Sequence, residues 1–507
     1  MARHCRLLVP TVNLQFLHIQ ASVLGELASR SINFFINKSS KPKVLDVEDS
    51  MQRYLLRAQV IIDEATGHHI TNSAMLQQLD MLKDAMYQGG YILDAFRYLC
   101  HNEKNTKDQV VSHSFSLSRV NSLKGIYSSK RKQRLSSTSN RKTQALEQLE
   151  DALQNLSCMI LDVKELVVFM VSYPRLYCQP YSMHLLLGNC MFGHRMEAEL
   201  VLNFLLHTQS NGAEELEVLP VVGPGKVGKS TLVAHVCNDE RVRDHFLEIV
   251  FMSDHDFKDE KLTHLWEKCV KKYQKSMLNK DGKLLVVVEM AGDINEDEWK
   301  RKYDASKQCM TKGSKIIITS RSDKITKLGT TRAVTLKYMS HEACWYFFKT
   351  LTFGSTDPMM HPRMANLAME ISKMQKRSVF SSMSIICLLR DNFDIHFWCK
   401  VVTFLRGFRK WYASKFGEPP SDALNQNRPA CLWRMLSTSK QIMVYHQYEC
   451  SSEKEVPKVE LRTVMYGNLK PSGRFDALSW RSPIPPYYIY TCEVRDLKTK
   501  SAKRKHS

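Results

Sequence analysis

The sequence has no closely spaced cysteine pairs. Its 14 cysteines are scattered at wide intervals, and neither C-x2-C nor C-x4-C occurs. That removes the usual zinc-module and thioredoxin-type signals. In a chain of 507 residues it also argues against a disulfide framework and for reduced thiols, as in the cytoplasm or nucleus. No stretch of about 18 apolar residues is free of charges, so no membrane-spanning helix is expected. Arg3 and Arg6 precede an apolar stretch from Leu7 to Val23, but Asn13, Gln15, His18 and Gln20 interrupt it. Without a small-residue cleavage pattern after it, a signal peptide is not expected. There is no internal repeat and no leucine-rich period. Acidic residues are in deficit, 52 Asp and Glu against 72 Lys and Arg, for a formal net charge of +20. Such a charge suits an acidic partner, but it is unremarkable when spread over solvated faces. Nothing resembles a recognition helix, an RNA-binding sheet motif or a zinc module, so sequence-specific nucleic-acid binding is not expected.

What is present divides the chain. At 43% hydrophobic and 24% charged, it can build a sizeable core in about three domains. Residues 20–110 read as a helical bundle. Val23, Leu24, Leu27, Ile32 and Phe35 recur at helical spacing; Leu55, Leu56, Val60 and Ile61 begin another apolar face, and Leu76, Leu79, Leu82 and Met86 a third. Residues 111–142 are rich in Ser, Lys and Arg and read as a disordered basic linker, whose Lys130-Arg131-Lys132 run is either solvated or a nuclear address. Residues 143–185 hold an amphipathic helix and connector. Its seam is Leu146, Leu149, Leu153, Leu156, Ile160, Val163 and Val167, in steps of three and four, ended by Pro174. A coiled coil used for partners or self-association and a helix packed on its own bundle both fit. Residues 186–330 alternate short apolar runs with amphipathic stretches, the pattern of a parallel sheet flanked by helices. Residues 331–410 return to helix. Residues 411–507, with Pro419-Pro420, Pro485-Pro486 and a basic tail, read as strand and loop of unknown fold.

The chemistry lies in the fourth segment. After the apolar run Leu216–Val222 comes Gly223-Pro224-Gly225-Lys226-Val227-Gly228-Lys229-Ser230-Thr231, which satisfies G-x-x-x-x-G-K-[ST] at every required position. The glycines at 223, 225 and 228, with Val227 between them, let backbone N–H groups turn around an anion, and the helix that follows points its positive dipole end at the same place. Lys229 is expected to reach the β- and γ-phosphates of ADP or ATP. The Ser230 hydroxyl is expected to hold Mg2+, with Thr231 beside it. A second buried strand, Leu284–Val288, ends on Glu289, the candidate acid for magnesium and hydrolysis. Met290 follows where a second carboxylate would orient water, and Asp293 is displaced. Hydrolysis is thus expected to be slow or absent, an ATPase at most. A third strand, Lys315–Ser320, delivers Arg321 to its end, where ligands bind in sheets of this class.

Together these residues resemble the NB-ARC nucleotide-binding switch of plant disease-resistance proteins with an Rx-like N-terminal coiled-coil domain. The resemblance spans roughly residues 20–406 and includes Met191-Phe192-Gly193-His194-Arg195-Met196-Glu197, Val221–Thr231, Leu284–Glu289, Gly313–Arg321 and Leu336–Gly354. It implies an α/β P-loop domain with an N-terminal helical bundle and an appended helical lobe. It implies that Gly193 and Arg195 border an adenine nucleotide, that ADP holds a closed state which ATP opens, and that the N-terminal helices bind protein partners in innate defence. The sequence departs from that pattern at Met290, at Lys376-Arg377-Ser378-Val379-Phe380 in place of Gly-Leu-Pro-Leu-Ala, at Gly89-Gly90-Tyr91 in the N-terminal helices, and in lacking a Met-His-Asp motif and leucine-rich repeats. These departures bear on hydrolysis, autoinhibition and pathogen sensing more than on phosphate binding. A scaffold with a relict loop is the alternative.

Overall fold

A computed structural model describes residues 44–104, 138–174, 190–207, 216–253, 282–290, 295–375, 377, 379–425, 428–449, 456–467, 469 and 473–496. The apolar stripe at 23–35, most of the expected linker, Asp293, Lys376, Ser378 and the basic tail lie outside the described residues. The chain divides into two compact units, Met1–Gln179 and Pro180–Ser507.

The first unit is helical: α1 (Val44–Thr66), α2 (Ser73–Lys104), α3 (Thr138–Asp162) and α4 (Lys164–Met170). The buried stripe of α1 is Val47, Met51, Tyr54, Ala58, Ile62 and Ala65, at steps of three and four. This corrects the expected face, because Leu56 and Val60 point to solvent, 67% and 55% exposed. The small Ala58 and Ala65 mark the inward stripe because they let a neighbouring helix approach. Gly89 on α2 serves the same approach, since a Cβ there would stand 3.1 Å from Met51 Sδ. On α2 the Leu76, Leu79, Leu82 and Met86 stripe is buried as expected. On α3, Leu149, Leu153, Leu156 and Ile160 are buried, as is Val163 just beyond it. The seam packs against α1 and α2 of its own bundle, so the chain uses it as core rather than as a free coiled-coil edge. Helix α3 starts at Thr138, inside the expected linker; its first turn is polar, which composition alone reads as linker. The segment after α4 is tied back to the α1–α2 turn, where the His69 N–H donates to the Pro174 carbonyl at 3.1 Å.

The second unit begins with α5 (Arg195–Leu206), β1 (Glu217–Val222), α6 (Lys229–Cys237), α7 (Glu240–His245), β2 (Glu248–Ser253), β3 (Leu284–Glu289), α8 (Glu296–Cys309), β4 (Lys315–Ser320) and β5 (Val334–Thr335). The five strands form a parallel sheet of order β2-β3-β4-β1-β5. Successive side chains enter opposite cores. Leu219 and Val221 join Leu202, Leu205, Leu232 and Val233 on one face; Val218 and Val222 join Val286, Ile316, Ile318 and Trp299 on the other. Strands buried on both faces must be apolar throughout, which is why β3 and β4 read as unbroken runs. A charge also enters this core. Lys315 is fully buried; its Nζ pairs with Glu217 at 2.8 Å and donates to the Phe204 and His207 carbonyls at the end of α5. A buried ammonium is tolerable when its donors are used this fully.

The helical lobe follows as α9 (His341–Phe353), α10 (Pro362–Met374), α11 (Val379–Asp391) and α12 (Ile395–Phe416). Trp345, Phe347, Phe348 and Trp398 are fully buried in it, and Trp398 Nε1 donates to the Asn392 carbonyl at 2.8 Å. Helix α12 thus runs past residue 411, where strand and loop were expected. Then come α13 (Pro420–Asn425), β6 (Ala430–Arg434), β7 (Ser437–Glu449), α14 (Leu461–Tyr466), β8 (Arg474–Arg481) and β9 (Ile489–Asp496). The four strands make an antiparallel sheet of order β6-β7-β9-β8.

Candidate functional site

In a parallel sheet all strands point the same way, so their C-terminal ends share one edge. At that edge β1 ends on Val222 and passes into the glycine-rich loop. Gly223 has φ +156°, and a Cβ there would stand 2.6 Å from the Leu336 carbonyl oxygen; only glycine permits this approach. Gly228 caps α6 at φ +111°. Lys226, not a glycine, also takes a left-handed φ of 58°. Alternation of right- and left-handed backbone is what turns successive N–H groups toward one point and makes an anion nest. The Val227 side chain faces the core, so its contribution to the loop is its backbone. Thr231 sits in the first turn of α6, which begins at Lys229.

Four charged or polar side chains meet at this edge. Lys229 is buried, its Nζ donating to the Gly223 carbonyl at 2.8 Å and the Pro224 carbonyl at 2.9 Å. The Ser230 hydroxyl donates to the Glu289 carboxylate at the end of β3. Arg321, from the end of β4, lies against Gly225, where a Cβ would be 3.4 Å from the guanidinium carbon. Burial, and after it the Arg321 charge, push the Lys229 ammonium down to about 8, while Glu289 works in the opposite direction. Two cations therefore crowd one carboxylate. The donor set fits an anion with several oxygens, and it fits a hard divalent cation at Ser230 and Glu289, whose oxygens are already in contact. The second acid position holds Met290, which is buried and whose N–H donates to the Thr319 carbonyl at 2.8 Å.

Gly193 and Arg195 are reached differently. The turn before α5 packs on the loop through Met191, whose Cε is 3.1 Å from a Cβ at Gly228. Gly193, at φ +81°, lies under Met339, and Phe192 stacks on Phe347 with ring centroids 5.0 Å apart. Arg195 opens α5 and pairs along it with Glu199 at 3.9 Å. Sequence reasoning missed Tyr338, whose hydroxyl donates to the Gly225 carbonyl at 2.7 Å. The contact spans 113 residues, and no local pattern signals it.

A parallel sheet bearing this loop, its lysine and an acid at the end of a strand two places away defines an α/β P-loop domain of the NTPase type. Residues 196–357 match the family model of the NB-ARC domain. The chain is 28% identical over 198 residues to the disease resistance protein RGA2 of Solanum bulbocastanum, a match covering 36% of this chain and 20% of that protein. It is 24% identical over 339 residues to the putative disease resistance RPP13-like protein 1 of Arabidopsis thaliana, covering 62% of this chain and 30% of that one. The matched region thus spans about a fifth to a third of the length of these curated relatives. Among solved structures, the replication initiator DnaA bound to AMPPCP and single-stranded DNA is similar at 14% identity and a TM-score of 0.27, covering 45% of this chain and 72% of that one. The structure of C. elegans PCH-2 is similar at 11% identity and a TM-score of 0.26, covering 44% and 64%. Among the described residues, no helix is long and apolar enough to cross a membrane.

Proposed function

We propose that this chain is an ADP- and ATP-binding switch in plant innate immune signalling, with weak or absent hydrolysis. One observation carries the nucleotide reading: Lys229, Ser230, Glu289 and Arg321 converge on the glycine-rich loop from the ends of three strands. The excess of positive charge there, with the Lys229 ammonium desolvated, is relieved by phosphate oxygens. Ser230 and Glu289 would hold a magnesium ion, which when bound would neutralise charge on the phosphates. Arg321 supports a two-state response, because a guanidinium at a strand end meets an ADP and an ATP differently, and a ligand shifts an equilibrium only by its differential affinity for the two states. Met290 stands in place of a second carboxylate, and its thioether cannot act as a base toward water.

The defence role rests on the NB-ARC match and on the resistance-protein relatives. Protein partners at the N-terminal helices and a cytoplasmic or nuclear setting belong to the same proposal.

Calorimetry of the full chain with ADP and ATP, beside Lys229→Ala and Ser230→Ala, tests the reading. The expected result is micromolar or tighter ADP binding that both substitutions weaken, with ATP turnover near background. A folded chain that binds neither nucleotide overturns it and leaves a scaffold with a relict loop.

A further inference from the structure

The Gly225–Lys226 peptide is held in a way the loop motif does not require. Its carbonyl oxygen accepts from the Tyr338 hydroxyl at 2.7 Å. Tyr338 lies just before the Ser340 cap of α9, where the Ala343 N–H donates to Ser340 Oγ at 3.0 Å. In a trans peptide the C=O and the following N–H point in opposite directions. Fixing the Gly225 oxygen on Tyr338 therefore turns the Lys226 N–H away from Tyr338. Lys226 also carries a left-handed φ of 58°, a backbone conformation disfavoured for a non-glycine residue. Such a conformation persists only where its surroundings over-determine it. On the same glycine rests Arg321, close enough that a Cβ would be 3.4 Å from its guanidinium carbon.

We propose that Tyr338 is a positioning residue for phosphate recognition, holding the Gly225–Lys226 peptide so that the Lys226 N–H serves the terminal phosphate of the nucleotide. The assignment rests on the phosphate-site reading above. The hydroxyl is suited to the task. Burial first, and the Asp422 carboxylate of α13 second, raise the Tyr338 pKa, with Arg321 opposing, so the phenol keeps its proton and remains a donor across the physiological range. Tyr338 thereby links the loop it holds to the helical lobe it introduces.

The test compares the full-length chain with Tyr338→Phe by calorimetry, using ADP and AMP as ligands. Removing one neutral hydrogen bond that orders the loop is expected to weaken ADP about three- to tenfold. AMP, which lacks the β-phosphate, is expected to change less than about twofold, and the melting temperature to stay within a few degrees. A merely structural tie would lower ADP and AMP in parallel with the melting temperature, and that outcome overturns the proposal. So does ADP affinity unchanged in Tyr338→Phe while Lys229→Ala abolishes it, and then only this assignment falls. If Tyr338→Phe does not fold, amide hydrogen exchange of the intact chain is the second measurement: ADP is expected to protect the Lys226 amide well beyond AMP, and equal protection by the two overturns the claim. Absence of ADP binding by the intact chain overturns the phosphate-site reading and this assignment together.

Discussion

The second unit contains two sheets built on opposite rules. The parallel sheet of β1–β5 is covered on both faces at its central strands β1, β3 and β4, and β4 is buried at all six positions. It can present polar chemistry only at its strand ends, and there it places Lys229, Ser230, Glu289 and Arg321. The antiparallel sheet of β6–β9 is covered on one face and, at β6, on the other too, where Cys431 is buried and Trp433 packs on Phe408 and Trp411. Ala477, Cys492, Val494, Ile442 and Val444 are buried, while the other face carries Arg474 and Arg495, both paired with Glu493, and Tyr445 under the Arg495 guanidinium at 4.2 Å. A sheet covered on both faces concentrates function at one edge; an open face spreads polar side chains over a surface. The first arrangement desolvates its charges and makes each count. The second leaves them in water, where pairs contribute little.

Substitutions can break or sharpen that contrast. The largest effect is expected inside the parallel sheet. Ile317, fully buried at the centre of β4, changed to Ala leaves a cavity and should lower stability by about 2–5 kcal/mol in denaturant unfolding. A smaller loss would mean that the two cores are looser than their burial indicates. Next is Lys229→Ala at the strand-end site, expected to weaken ADP about a hundredfold, or about 2.7 kcal/mol, with little change in the unfolding midpoint. An unchanged ADP isotherm would remove this lysine from the site.

Lys229 also makes a pH prediction. Its folded pKa is lowered from 10.5 to about 8, so between those values the unfolded chain holds a proton that the folded, ligand-free chain does not. Stability therefore rises with pH across about 8 to 10.5 and that gain is lost as pH falls. Phosphate binding should restore the proton. Calorimetry near pH 8 in buffers of different ionisation enthalpy should show uptake of about half a proton with ADP, and Lys229→Ala should abolish it. Buffer-independent heats in the intact chain would contradict the desolvated lysine. The smallest effect is expected on the open face of the antiparallel sheet: Arg495→Ala should leave the melting curve unshifted, and a resolvable shift would show that this face is less solvated than its pairs suggest.

The same contrast explains what was legible. Strands β3 and β4 stood out because full burial demands an unbroken apolar run, here Leu284–Val288 and Ile316–Ile318. The loop stood out because phosphate wrapping constrains Gly223, Gly228, Lys229 and Ser230 within eight consecutive residues. The antiparallel sheet was hidden. Register shifts at Trp433/Arg434, Val444/Gln447 and Leu478/Trp480 break the alternation that would announce it. Strand β2, at a sheet edge with Phe251 exposed, lacks the full burial that makes β3 and β4 conspicuous. On α1 the large Leu56 and Val60 drew the eye, while packing chose Met51, Tyr54 and Ala58. The seam of Leu149 to Val163 was plain as a helix face, but its periodicity is the same whether the partner is another chain or its own bundle.

Local spacing was therefore enough to establish a phosphate loop between a strand and a helix, an acid and an arginine at neighbouring strand ends, and no second carboxylate, because each of these depends on residues close together in the chain. Tertiary structure alone decided that Tyr338 holds Gly225 across 113 residues and that Lys229 is desolvated beside Arg321. It also decided that a four-stranded antiparallel sheet, open on part of one face, follows the helical lobe. A hydrogen bond, a desolvation and a covered face all depend on which distant segments meet, and short-range pattern carries no record of that.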